Sequence, residues 1–148
     1  MERQYSLLIV DDDQEIRDTY RDYFAKRDFI VETAADGVSG LEKLLHGEFD
    51  AAIVDLRMPK MDGLEMIRQA LADDMVNASM IVLTGYGDKT EVVKALNMGV
   101  EAWFDKADDL DMSKLFKRVC ELAEVIPLDE VRRWLTPISK EYFTPTGK

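Results

Sequence analysis

Five times along the chain, a short apolar run gives way to a longer stretch with hydrophobic residues three and four apart. The runs at residues 7–10, 29–33, 51–54, 80–83 and 102–104 are too short for helices and read as strands covered on both faces. The stretches at 14–27, 38–46, 63–72, 89–98 and 110–125 read as amphipathic helices. In the first, Ile16, Tyr20, Tyr23 and Phe24 share a face opposite Arg17, Asp18, Arg21 and Asp22. Met112, Leu115, Phe116, Val119, Leu122 and Ala123 form a similar stripe in the last. Turn residues fall at the boundaries, at Asp36-Gly37, Gly47, Asp62-Gly63 and Gly99. Strict alternation of this kind demands a parallel sheet with right-handed crossovers and helices on both faces, an α/β doubly wound domain.

Composition bounds the rest. A chain of 148 residues suits one domain with a short appendage, and an apolar content of 47 % is too high for a disordered chain. The net charge of −11 argues against a nucleic-acid surface. Cys120 stands alone, so no internal disulfide forms and a reducing cytoplasm is expected. No apolar stretch approaches the ~20 residues that span a bilayer, and no signal-peptide pattern opens the sequence, so no membrane association is expected.

Ligands of doubly wound sheets bind beyond the carboxyl ends of the strands, and polar residues collect there. Asp11, Asp12 and Asp13 follow the first strand, Asp55 the third, Thr84 ends the fourth, and Lys106 follows the fifth. Like charges so placed raise one another's pKa unless a cation shares the site. Asp13 alone reads as the cap of the next helix. His46, before Gly47, suits a helix C-terminus, and Cys120 suits the core.

In combination and order, "IVDDD", "VDLRMPKMDG", "LTGYGD" and "WFDK" resemble the receiver domain of two-component response regulators, over residues 5 to about 125. The resemblance implies a flavodoxin-like (βα)5 fold with strand order 2-1-3-4-5, which sets strands one and three side by side, ~4.8 Å apart. It implies a Mg²⁺ site, with Asp12 as direct ligand, Asp11 acting through water, and Asp55 and the backbone carbonyl of Arg57 completing the set. Asp55 matches the phosphoacceptor, charged from a phosphohistidine on a sensor histidine kinase or phosphotransfer protein. Lys106 and Thr84 match the phosphate-contacting residues, with Gly85 leaving room beside them. Thr84 and Trp103 match the switch pair, and the surface of helix four, strand five and helix five matches the family's partner or dimer face. Arg57 and Tyr86 occupy the variable positions flanking the phosphate. The chain departs from the family at Ala107, where proline joined through a cis bond is usual, and at Trp103, where Tyr or Phe is usual.

Two other readings compete. A haloacid-dehalogenase-type phosphatase also carries "DxD" after its first strand, which Asp11 and Asp13 mimic, but leaves Asp55 and "MPKMDG" without a role. A receiver-like module that binds partners without phosphorylation is the other. Residues 126–148 keep Leu128, Val131, Leu135, Ile138 and Tyr142 in helical spacing, with Pro137 interrupting, and read as a helical extension or linker too short for a DNA-binding domain.

Overall fold

The computed structural model describes residues 4–85, 89–106 and 110–123. Strands and helices alternate as β1 (Tyr5–Val10), α1 (Gln14–Ala25), β2 (Phe29–Ala34), α2 (Gly37–His46), β3 (Ala51–Val54), α3 (Gly63–Leu71), β4 (Ser79–Thr84), α4 (Lys89–Met98), β5 (Ala102–Asp105) and α5 (Met112–Leu122). The sheet runs β2-β1-β3-β4-β5 with every pair parallel. The expected order and fold class are therefore observed. The expected helical extension over 126–148 lies outside the described residues.

Because side chains alternate across a strand, each strand feeds two cores. Leu8, Val10, Ala52, Val54, Met80 and Val82 pack with Leu41, Met66 and Ile67 on the face of α2, α3 and α4. Leu7, Ile9, Ile53, Ile81 and Leu83 pack with Phe24, Leu115 and Val119 on the face of α1 and α5. An edge-to-face aromatic cluster joins that second layer, with Phe24 and Phe29 centroids 5.6 Å apart and Phe116 6.0 Å from Phe29. Each of these large side chains contributes roughly 1.5–3 kcal/mol by leaving water. The central strands are buried on both sides, which is why they read as unbroken apolar runs.

Boundaries differ from the expected ones where local chemistry overrides periodicity. The first helix stops at Ala25 instead of residue 27, because Lys26 forms the C-cap and Asp28 turns the chain with φ +69°. The last begins at Met112, since the Asp111 carboxylate accepts the Ser113 N–H and fixes the start there. Asp13, Asp36 and Asp62 cap α1, α2 and α3 in the same way. His46 lies in the last turn of α2, where its ring Nδ1 meets the Glu42 carbonyl at 2.9 Å. Cys120 is buried in the α1–α5 layer.

Candidate functional site

Register brings the acids together. Val10 pairs with Val54, so the residues that follow them leave adjacent strand ends. The backbone holds each one: Asp55 N donates to the Val10 carbonyl at 2.9 Å, Asp11 N to that of Ala34 at 3.1 Å, and Lys106 N to that of Thr84 at 2.9 Å. Asp11 and Asp55 are buried while Asp12 faces solvent. One carboxylate oxygen from each of the three lies within 4.8 Å of the others.

Lys106 resolves the crowding of like charge. Its Nζ sits 2.5 Å from Asp11 Oδ2 and 3.1 Å from Asp55 Oδ2. The remaining oxygens are also occupied: Asp11 Oδ1 accepts the Asp13 N–H at 2.9 Å, and Asp55 Oδ1 the Arg57 N–H at 3.2 Å. Burial pushes the Asp11 carboxyl above its ordinary value, with the nearby Asp55 charge adding to it, and hydrogen bonds from Lys106 and Asp13 offset only part of that rise. For Lys106, burial opposes the ammonium, but the two carboxylates outweigh it and raise the amine above its usual range. The lysine is therefore a fixed cation at neutral pH. Asp13 takes no part: its carboxylate accepts the Glu15 and Ile16 N–H groups at 2.9 and 3.4 Å as the cap of α1.

The donor set is all oxygen, anionic, and open to water on the Asp12 side, which fits a hard divalent cation that keeps part of its hydration shell. Asp11 and Asp55 pair with Lys106, so a second cation at this edge would share their charge with the ammonium.

Thr84 ends β4 and is buried, with Asp105 as its register partner on β5. Trp103 pairs with Val82, so Thr84 and Trp103 lie on one face of the sheet a diagonal step apart. That face is the one covered by α4, since Val82 and Val92 share its core. The Trp103 side chain is 43 % exposed there on the sheet's edge strand. A Cβ placed on Gly85 would meet Lys106 Cβ at 3.7 Å, an ordinary contact, so packing in this conformation does not itself demand glycine. Tyr86 and Ala107 lie outside the described residues, and with them the conformation of the Lys106–Ala107 bond.

The sequence profile of the response regulator receiver domain matches residues 7–119. The chain belongs to the response regulator receiver family. It is 35 % identical over 102 residues to the response regulator MprA of Mycobacterium ulcerans, covering 68 % of this chain and 43 % of that protein. MprA of Mycobacterium sp. strain KMS is 34 % identical over the same length and coverage. The chain thus matches under half the length of these relatives. Among solved structures, a CheY-like receiver domain protein from Methanospirillum hungatei superposes with a TM-score of 0.77 at 29 % identity, covering 82 % of this chain and 95 % of that one. Chemotaxis protein CheY4 of Vibrio cholerae gives 0.74 at 26 % identity over 81 % and 99 %.

This receiver carries features near the acids that reading by period missed. Arg17, expected on the solvent face of the first helix, is half-buried, and its Nη1 donates to the Asp11 carbonyl at 2.7 Å. Tyr20 is also half-buried, and burial pushes its phenol upward, with Lys106 opposing and Asp11 adding to the rise. Gly63 packs against the backbone that follows β3: its N–H donates to the Leu56 carbonyl at 2.9 Å. A Cβ there would lie close upon the Asp55 carbonyl oxygen, well inside contact distance. The loop between them turns at Lys60, which has φ +67° and an Nζ 3.4 Å from Asp36 Oδ2. Only the three-dimensional return of the "MPKMDG" loop makes Gly63 obligatory.

Proposed function

We propose that this receiver, spanning residues 5–125, takes a phosphoryl group onto Asp55 from a phosphohistidine of a sensor histidine kinase or phosphotransfer protein. The observation that carries this reading is the Lys106 ammonium held between the Asp11 and Asp55 carboxylates, with Asp12 beside them. An Asp55 oxygen attacks phosphorus in line, the P–N bond breaks, and its electron pair returns to the imidazole nitrogen. Lys106 then moves from balancing two carboxylates to neutralising a phosphoryl oxygen, and the Thr84 hydroxyl donates to another. Asp12, Asp11 through water, Asp55 and the Arg57 carbonyl are the residues that would hold Mg²⁺, which when bound supplies further charge neutralisation. Gly85 and the Arg57 side chain would flank the incoming group; Tyr86, which the resemblance places beside them, lies outside the described residues.

The module signals; its only chemistry is its own phosphorylation and dephosphorylation. Thr84 and Trp103 pass the change to a partner or to a second copy through α4, β5 and α5, where Val93, Leu96 and Trp103 are exposed. A cytoplasmic setting suits such a partner, and no helix among the described residues is long and apolar enough to cross a membrane. The dehalogenase-like reading loses its second carboxylate, because Asp13 is engaged as a helix cap. The test is incubation with acetyl phosphate and Mg²⁺, followed by mass spectrometry of wild type and Asp55→Asn. Wild type gains one phosphoryl group on Asp55 and the variant none; equal labelling of both removes Asp55 as the acceptor.

A further inference from the structure

Both peptide groups that flank Asp12 are tied down by other residues. On the near side, the Asp11 carbonyl oxygen accepts a hydrogen bond from Arg17 Nη1 at 2.7 Å. On the far side, the Asp13 N–H donates to Asp11 Oδ1 at 2.9 Å. A peptide unit is planar, so a bond to the Asp11 oxygen also fixes the plane that carries the Asp12 nitrogen and Cα. Asp11 itself is held at the strand end, its N–H on the Ala34 carbonyl at 3.1 Å. The exposed Asp12 carboxylate therefore leaves a Cα that is held from both sides.

Arg17 reaches this carbonyl against the local preferences of its helix. Its own N–H closes the first turn of α1 on the Asp13 carbonyl at 3.0 Å, at the end where the helix dipole favours anions over cations. Helical side chains point back toward the N-terminus, which carries the guanidinium over that turn to the segment before it. Arg21, Arg68 and Arg118 instead take carboxylates three residues away, on Asp18, Glu65 and Glu121. Asp13 lies four residues before Arg17, but its carboxylate is occupied in capping α1. The half-buried Arg17 side chain gives its hydrogen bond to main chain, and a charged donor makes that bond one of the stronger kind.

We propose that Arg17 is a positioning residue for the Asp12 carboxylate, aiming it at the oxygens of Asp11 and Asp55. This role rests on the proposed reading of the three acids as a divalent-cation site. Arg17 touches neither the ion nor the phosphoryl group and acts through the Asp11–Asp12 peptide. A ligand held in place beforehand lowers the cost of ordering it when the ion arrives. Charge and position pull in opposite directions here. A fixed guanidinium repels a dication, so its removal by charge alone would tighten binding, whereas loss of the anchor weakens it. The sign of the change identifies the role.

The experiment titrates the full chain with Mn²⁺, which shares the Mg²⁺ preference for oxygen ligands, and follows the free ion by electron paramagnetic resonance. Arg17→Met keeps much of the stem and loses the donor. It is expected to weaken Mn²⁺ binding roughly tenfold, as does loss of other groups that orient a metal ligand. Arg17→Leu, a second variant without a donor, is expected to match it, with the wild-type fold by circular dichroism. Arg17→Lys keeps the charge and a donor and is expected to recover most of the affinity. In an Asp12→Ala background Arg17→Met should change nothing further, because the group it aims is gone. Unchanged or tighter binding in the variants without a donor would overturn the proposal while leaving the metal site standing. An equal loss with and without Asp12 would do the same. Wild-type Mn²⁺ binding in Asp12→Ala would instead overturn the reading of the acids on which the role of Arg17 rests.

Discussion

Lys106 Nζ lies closer to Asp11 than to the proposed phosphoacceptor, at 2.5 Å against 3.1 Å from Asp55. The cation thus leans toward the carboxylate that follows β1. Breaking a buried ion pair by removing one partner costs about 3–5 kcal/mol when the site is closed. Here two carboxylates share one lysine, so removing an acid and removing the lysine have opposite consequences.

Asp11→Asn is expected to stabilise the metal-free protein at neutral pH. The folded pKa of Asp11 is raised above 3.8. The folded state therefore binds the Asp11 proton more tightly than the unfolded chain does. That contribution is fully present below the unfolded value and is lost as pH rises through the folded one, leaving an ionised, partly compensated charge at pH 7. The amide removes this charge and leaves Lys106 to Asp55. Urea midpoints in EDTA should rise by an amount corresponding to on the order of 1 kcal/mol, and the further rise that Mg²⁺ gives wild type should shrink. A lower midpoint in EDTA would mean that the Lys106 bond outweighs burial.

Gly63→Ala and Gly85→Ala form a contrasting pair. A methyl at 63 collides with the carbonyl of Asp55 and the Cα of Leu56, and neither is a flexible side chain. Moving them costs about 1–3 kcal/mol and displaces Asp55, the proposed acceptor. The expected result is a lower denaturation midpoint together with slower phosphorylation by acetyl phosphate. Gly85→Ala meets only an ordinary contact and should keep the wild-type midpoint. If phosphorylation falls in Gly85→Ala while stability holds, the room beside Lys106 serves the incoming group.

These glycines mark what a sequence can and cannot disclose. Strand β3 and helix α4 have the bounds that periodicity predicts, because apolar runs and 3-4 spacing are local and the flanking turns are strong. The acids, Thr84 and Lys106 were legible because a parallel sheet delivers every strand's carboxyl end to one edge. Arg17 was not, since its position on the helix says solvent while its long side chain folds back to the Asp11 carbonyl. Nor was the partner choice of Lys106, which depends on tenths of an ångström between carboxylates from different strands.

Asp36→Ala tests the support beneath the loop that carries Lys60. The Asp36 carboxylate accepts the Ser39 N–H at 2.8 Å as the cap of α2 and meets Lys60 Nζ at 3.4 Å. Loss of such a cap costs about 1 kcal/mol, while the exposed lysine adds little. The Ser39 N–H, then Lys60, hold the Asp36 carboxyl below its ordinary 3.8. Its contribution is therefore present above the unfolded pKa and lost as pH falls through the folded one. The stability gap between wild type and Asp36→Ala should stay constant from pH 7 to about 5 and close in stronger acid. A gap that persists unchanged at pH 2 would assign the effect to lost packing.

Trp103 and Thr84 share a face of the sheet, and that arrangement makes the tryptophan a reporter of the proposed switch. A phosphoryl group adds roughly −1.5 to −2 charge at Asp55. In the proposed switch, Lys106 alone would not balance it, and the Thr84 hydroxyl would be drawn to the new oxygens and vacate space beside β5. Trp103 is 43 % exposed and can enter that space by changing rotamer. Its additional burial contributes on the order of 1–2 kcal/mol, comparable to the gap between two conformers that a ligand rebalances. In a Trp134→Phe background, beryllofluoride with Mg²⁺ should shift Trp103 emission to the blue and weaken its quenching by acrylamide. Thr84→Ala should abolish that shift while Asp55 still gains a phosphoryl group by mass. Unchanged quenching in a fully modified protein would show that the indole is too large to turn inward, and the signal would then have to leave through the backbone that follows β4.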